Sequence, residues 1–162
     1  VGGAIWMKPF EEFSEEEIIK EVNRSLFPTM WCCRAVLPEM VKNQKGTIVN
    51  VSSIATRGIN RVPYSASKGG VNALTASLAF EHAKDGIRVN AICPGPTMGT
   101  ELTKNSLSTN PHEEAMLKEH VIPMKKLATT QEVVNAVLWL SSEEASHTTG
   151  QKIFIDGGMH IA

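Results

Sequence analysis

Two short runs, residues 47–51 and 87–93, bracket a long helical stretch at residues 64–84, and that order leaves the chain few folds to choose from. The run at 47–51 is β-branched and apolar on both faces, as expected of a parallel strand covered on both sides. Strand, helix and strand in this order predict a parallel βαβ unit. Ser53 then follows the carboxyl end of one strand, and Pro94-Gly95 that of the next. Open α/β sheets bind their ligands along that edge. The pattern therefore brings Ser53, the start of the helix and the Pro-Gly loop to one place.

The rest of the chain supplies the layers such a sheet needs. Ser14-Glu15-Glu16-Glu17 reads as a capping box with an acidic first turn. Ile18, Ile19, Val22, Leu26, Met30, Ala35, Val36 and Met40 then recur at helical spacing, up to a turn at residues 43–46. Pro28 falls inside this helix and predicts a kink, and Pro38 should loosen its last turns. Residues 55–63 read as a loop. The 64–84 helix is crowded with small residues (Ala66, Ser67, Gly69, Gly70, Ala73, Ala76, Ser77, Ala79) and stops at Asp85-Gly86. Two glycines in a helix cost about 1 kcal/mol each against alanine, which predicts close packing against the sheet or against another subunit. Residues 96–124 form an irregular insertion with the character of a substrate lid or a surface excursion. A helix at 131–140 and a strand at 152–156, closing at Gly157-Gly158, complete the series.

The chemistry concentrates at Tyr64-Ser65-Ala66-Ser67-Lys68. Four residues apart, Tyr64 and Lys68 share one helix face. A free phenol, with a pKa near ~10, is a poor base at neutral pH. An adjacent ammonium favours the phenolate, so the spacing predicts that Lys68 lowers the Tyr64 pKa. With a serine hydroxyl in reach, the trio can hold an alcohol while its proton leaves. The carbon then needs a hydride acceptor, which no side chain supplies, so a cofactor is implied.

Composition narrows the alternatives. Hydrophobic content of 42%, charged content of 20% and net charge −1 over 162 residues describe a soluble globular chain, without the basic field that nucleic acid or an anionic membrane would call for. No apolar run in the 162 residues approaches membrane-spanning length, and no signal peptide is expected. Cys32, Cys33 and Cys93 carry no Cys-x-x-Cys spacing, so reduced, partly buried thiols in a cytoplasm are expected rather than a metal site or disulfides. His112 and His120 are read as surface residues, and no metal site is expected.

At several places in the right order the sequence resembles the short-chain dehydrogenase/reductase family: Val1-Gly2, Val22-Asn23, Ile48 to Ser53, Tyr64 to Lys68, Arg88 to Gly95, and Thr149-Gly150 leading to Asp156-Gly157-Gly158. The resemblance implies an α/β, Rossmann-like doubly wound parallel sheet. No Gly-x-Gly-x-x-Gly turn is present, nor a second strand ending in an acidic ribose-binding residue. Residues 1–162 are therefore expected to be the C-terminal part of a single such domain, truncated at the N-terminus, and inactive and marginally stable alone. By resemblance, Tyr64 is general base for oxidation and acid for reduction. Lys68 holds the nicotinamide ribose, Ser53 binds the substrate oxygen, and Asn23 anchors a water that passes the proton on. Gly2, Pro94, Gly95 and Thr97, with Tyr64 and Lys68, are expected to contact NAD or NADP, NAD favoured. Two departures stand out: Ser53 and Tyr64 are two residues closer than is common, and the threonine expected at position 99 is Gly99.

Residues 1–92 resemble most the branch that oxidises dihydroxycyclohexadiene carboxylates to catechols, whereas the part after Pro94 resembles the family's reductases more generally. Oxidising the ring hydroxyl beside the carboxyl-bearing carbon makes a β-keto acid, which loses CO₂ as the ring aromatises. Arg57 and Arg61, in the loop between Ser53 and Tyr64, are candidates to grip the carboxylate. The alternatives are a 3-oxoacyl or sugar-alcohol reductase, or a non-catalytic fragment. The resemblance further implies a small alcohol or ketone substrate, and a homo-oligomer joined through the 64–84 helix.

Overall fold

The computed structural model describes residues 4–99 and 115–160. A 3₁₀ turn at Phe10–Glu12 leads into α1 (Glu15–Ser25). The predicted capping box opens α1: the Ser14 hydroxyl accepts the Glu17 N–H at 3.2 Å, and the Glu17 carboxylate accepts the Ser14 N–H at 2.9 Å. Pro28 does more than kink the helix. The chain breaks at Leu26, and a second helix, α2 (Phe27–Asn43), begins there with the proline in its first turn. In that position its missing N–H costs nothing, because first-turn donors have no intrahelical partner. Pro38 lies inside α2.

Gln44 ends α2 in the left-handed region, φ 50°, and the chain enters β1 (Gly46–Val51). A loop returns it to α3 (Val62–His82), which carries Pro63 in its first turn and tightens into a 3₁₀ turn at Ala83–Asp85. Gly86, at φ 69°, then starts the next strand. Any Cβ there would collide with the Gln44 carbonyl, so the turn requires glycine on two counts. The strands β2 (Ile87–Pro94) and β3 (Lys152–Ile155) follow, separated by a π-helical turn at Leu117–Val121 and by α4 (Thr130–Ser141).

Among the described residues the sheet has the order β1-β2-β3, all parallel, with Gly46 opposite Ile87 and Val51 opposite Ile92, then Ala91 opposite Lys152 and Pro94 opposite Ile155. Side chains alternate across it. Ile87 and Val89 pack with Ala79 and Leu78 of α3 and with Leu37, Met40 and Val41 of α2. Arg88, between them, points the other way: its guanidinium donates to the Leu140 and Ser142 carbonyls at the end of α4, to the Thr148 carbonyl and to the Thr47 hydroxyl. Helices thus cover both faces, which is the doubly wound arrangement expected. The register also aligns the carboxyl ends of the three strands, so the residues after Val51, Pro94 and Ile155 share one edge.

Candidate active site

Two reciprocal clasps fix α3 to the carboxyl end of β1. The buried Ser52 hydroxyl donates to the Lys68 carbonyl at 3.2 Å, and Lys68 Nζ donates to the Val51 carbonyl at 2.9 Å. Lys68 is 1% exposed. Its Nζ also stands 5.8 Å from the centroid of the Tyr64 ring, one helical turn back and itself buried. Ser53 is half-buried and accepts the Ala55 N–H at 3.0 Å, which folds the loop back beside it, and its side chain lies near enough to Tyr64 to favour the phenolate. The start of α3 is fastened further by Ser65, whose hydroxyl accepts the Gly58 N–H, and by Ser67, whose hydroxyl donates to the Pro63 carbonyl. The Ser53–Tyr64–Lys68 grouping thus rests on a rigid strand and helix.

Burial governs the titration of this group. It pushes the Tyr64 phenol up from 10.0, the nearby Ser53 side chain opposes that, Glu21 adds to it, and Arg61 and Arg24 oppose it. The expectation that Lys68 would lower the tyrosine is not met: its Nζ is turned to the Val51 carbonyl, and burial brings its own pKa down from 10.5 to about 8, against the influence of Cys93 and Glu21. Burial likewise raises the Cys93 thiol.

The remaining predicted residues fall in different places. Asn23 lies on the last turns of α1 with its side chain exposed, and the buried positions beside it are Glu21 and Ser25. Arg57 is exposed, whereas Arg61 is half-buried at the N-cap of α3 and within electrostatic reach of Tyr64. The Pro94 carbonyl accepts the Ile54 N–H, and Gly95 N–H donates to the Ile155 carbonyl, so this loop ties all three strand ends together. Gly95 faces Asp156 so closely that a Cβ would come within 2.8 Å of the Asp156 Cβ. Thr97 is buried, and its hydroxyl donates to the Gly95 carbonyl at 2.9 Å. Gly2, His112 and most of the 96–124 insertion lie outside the described residues.

Sequence reasoning passed over Glu21 and Arg24, the two charges of α1 that influence Tyr64. A signal existed for Glu21: it falls one turn from Ser25 and three residues from Ile18, so three residues of α1 share an arc that a purely apolar reading follows only in part. Among the described residues there is no cluster of metal-ligating side chains, and no helix is long and apolar enough to cross a membrane.

A family model described as enoyl-(acyl carrier protein) reductase matches residues 1–160. The chain is 58% identical, over 166 residues, to the 1,6-dihydroxycyclohexa-2,4-diene-1-carboxylate dehydrogenase of Acinetobacter baylyi, covering 98% of this chain and 64% of that one. It is 51% identical, over 168 residues, to a protein of the same name from Pseudomonas putida, covering 98% and 61%. The chain therefore spans less than two thirds of the length of these relatives. Among solved structures, an oxidoreductase of the short-chain dehydrogenase/reductase family from Burkholderia thailandensis matches with a TM-score of 0.90 at 31% identity, covering 98% of this chain and 61% of that one.

Proposed function

The chain belongs to the short-chain dehydrogenase/reductase family, and on that premise we propose that its protein oxidises a dihydroxycyclohexadiene carboxylate to a catechol with a nicotinamide cofactor, NAD ahead of NADP. The observation that carries the reading is the convergence of Ser53, Tyr64 and Lys68 at the carboxyl end of β1, with Tyr64 and Lys68 buried and with Ser53 and Lys68 hydrogen-bonded to their surroundings. The likeness to the two cyclohexadiene-carboxylate dehydrogenases narrows the substrate.

The residues present fit the nicotinamide-ribose end of such a cofactor. Lys68 donates one hydrogen bond to Val51, and an ammonium has three donors, so it retains capacity for ribose hydroxyls. Pro94, Gly95 and Thr97 offer backbone and a hydroxyl on the same edge. When bound, the nicotinamide supplies the hydride acceptor that the side chains lack. Tyr64 takes the proton of the substrate hydroxyl as that carbon is oxidised, and Ser53 holds the same oxygen. The nearness of Ser53 to Tyr64 favours the phenolate that burial opposes. Lys68 holds positive charge behind the tyrosine, and Asn23 is proposed to carry the water through which the proton leaves. The β-keto acid so formed loses CO₂ as its ring becomes aromatic.

For the carboxylate we propose Arg61 rather than Arg57, because Arg61 lies close enough to Tyr64 to bias its ionisation. A homo-oligomer through α3 is also proposed. Its outer face exposes Ala66, Ala73, Ala76 and Ser77 and ends in Phe80 at 92% exposure, a small-residue stripe that suits close helix packing. The test is a steady-state assay of the intact protein with 1,6-dihydroxycyclohexa-2,4-diene-1-carboxylate and either cofactor. Catechol should appear in step with reduced nicotinamide. Turnover of 3-oxoacyl esters or sugar alcohols without turnover of the diol would replace this reading with a reductase.

A further inference from the structure

Residues 4–9 run as a strap along α1, tied to it at three points that the proposed chemistry leaves unused. Glu21, with 1% of its surface exposed, makes the first tie: one carboxylate oxygen accepts the Ile5 N–H at 2.8 Å, and the other accepts the Ser25 hydroxyl at 2.7 Å. Glu17 makes the second, both of its oxygens accepting from Lys8 Nζ, at 3.0 and 2.7 Å. For the third, Lys20 Nζ stands 5.7 Å from the centroid of the Trp6 ring. Three- and four-residue spacing puts Glu17, Lys20 and Glu21 on one face of α1, and that face holds the strap.

The strap in turn holds the loop before α3. The Lys8 N–H donates to the Asn60 carbonyl at 2.8 Å, where the chain turns through the left-handed region at φ 57°. Arg61, the next residue, packs over Gly58: a Cβ there would come within 2.6 Å of Arg61 Cδ. The Gly58 N–H donates to the Ser65 hydroxyl at 3.1 Å. Residues 58–61 are thus held by α3 on one side and by the strap on the other. A loop without a helix or strand ladder of its own keeps its place through such bonds.

The three ties are unequal. A partly exposed ion pair such as Lys8–Glu17 contributes little, whereas hydrogen bonds to a buried carboxylate are among the strong ones. An apolar side chain would cover this face of α1 without the cost of burying a charge, so what the carboxylate adds is its grip on Ile5. We propose that Glu21 is a positioning residue: it fixes the 4–9 strap on α1, and the strap, through Asn60, sets where Arg61 stands. The consequence for substrate rests on reading Arg61 as the carboxylate anchor, but the linkage itself is measured without any substrate.

Hydrogen exchange of the intact protein, followed by mass spectrometry on peptides covering residues 4–9 and 55–61, reads the linkage. Glu21→Leu leaves the Ile5 N–H without its acceptor and should speed exchange in both segments. Glu21→Gln keeps an oxygen for that N–H and should hold both near the parent rates. Lys8→Pro removes the N–H that reaches Asn60 and should speed exchange at 55–61. Lys8→Ala, which loses only the ion pair, should not. Either Glu21→Leu or Lys8→Pro gives the reading if it folds. In steady-state kinetics Glu21→Leu should raise KM for the carboxylated diol several-fold, with little change in kcat or in KM for an uncharged diol of the same ring. It should add nothing further to Arg61→Ala, because both act through one contact. Parent exchange at 55–61 in a folded Glu21→Leu or Lys8→Pro variant overturns the linkage, whatever the substrate. Faster exchange without the shift in KM overturns the claim that Glu21 positions Arg61. A parent protein that turns over no diol fails the functional reading instead, and exchange still decides the linkage.

Discussion

Replacing Lys68 by methionine should make the protein more stable while removing the ammonium its chemistry depends on. The side chain is 1% exposed, and burial brings its pKa from 10.5 to about 8. At about 1.4 kcal/mol per pH unit, holding the proton in the folded state costs about 3 kcal/mol. Methionine is unbranched and of similar length, so it fills the same space without that cost, but it loses the bond to the Val51 carbonyl, worth about 1 kcal/mol. A net gain of about 2 kcal/mol at pH 7 is expected. The gain depends on pH in a defined direction. Below about 8 both folded and unfolded chains carry the proton and the parent bears the full cost. Between about 8 and 10.5 the unfolded chain binds a proton that the folded one does not, so parent stability rises with pH and the gap to the variant closes. The Cys33, Cys93 and Tyr64 groups, all raised by burial, oppose that rise at the alkaline end in both proteins; Cys93 acts on Lys68 and so cancels only in part, which makes pH 7 to 8 the clean part of the comparison. Urea unfolding of the two proteins across this range is the assay. A variant less stable than the parent at pH 7, or a gap that does not change with pH, would refute the burial argument.

Arg61→Ala should raise KM for the carboxylated diol by about tenfold or more, the worth of a hydrogen bond between charged groups. It should leave an uncharged diol of the same ring little changed, and Arg57→Ala should alter neither; steady-state kinetics on both substrates decide this. Gly95→Ala should cost about 2 kcal/mol in urea unfolding, as overpacking does, because the new methyl would meet the Asp156 backbone at 2.9 Å. Phe80→Glu should lower the molecular mass seen in light scattering, since it puts a charge on the exposed end of the α3 stripe.

What the sequence disclosed and what it withheld divide along the range of the interactions. The Ser14–Glu17 cap, the Gly86 turn and the parallel βαβ unit depend on near neighbours or on strand periodicity, and all were legible. The same motif recurs at the start of α4, where Thr129 and Glu132 form a second capping box that the residues themselves announce but that was passed over. Pro28 shows the limit of a local rule: it forbids an unbroken helix but cannot say whether the chain bends or restarts, which depends here on how the two pieces pack. Leu26 at their joint lies 3.0 Å from where a Cβ on Gly70 would be, so close packing does explain that glycine, with the helix joint as the neighbour in place of the sheet or second subunit expected. The titration of Tyr64 was misjudged for the same reason. Four-residue spacing puts Lys68 beside it, yet the sign of the shift is set by burial and by where Nζ points, and both come from β1. The arc of Ile18, Glu21 and Ser25 marked a face of α1, but that a carboxylate on it is buried follows only from α1 lying against α3.

The central claim is that Tyr64 moves the proton in a reaction whose cofactor is held by other groups. Tyr64→Phe in the intact protein tests it most directly, because the ring that fills the buried site is kept and only the hydroxyl is lost. With the cyclohexadiene carboxylate as substrate, turnover should fall by about a thousandfold, within the usual worth of positioned acid–base catalysis, while calorimetric titration finds NAD binding little changed. Turnover within a few-fold of the parent would contradict the account, whatever the variant's affinity for the cofactor.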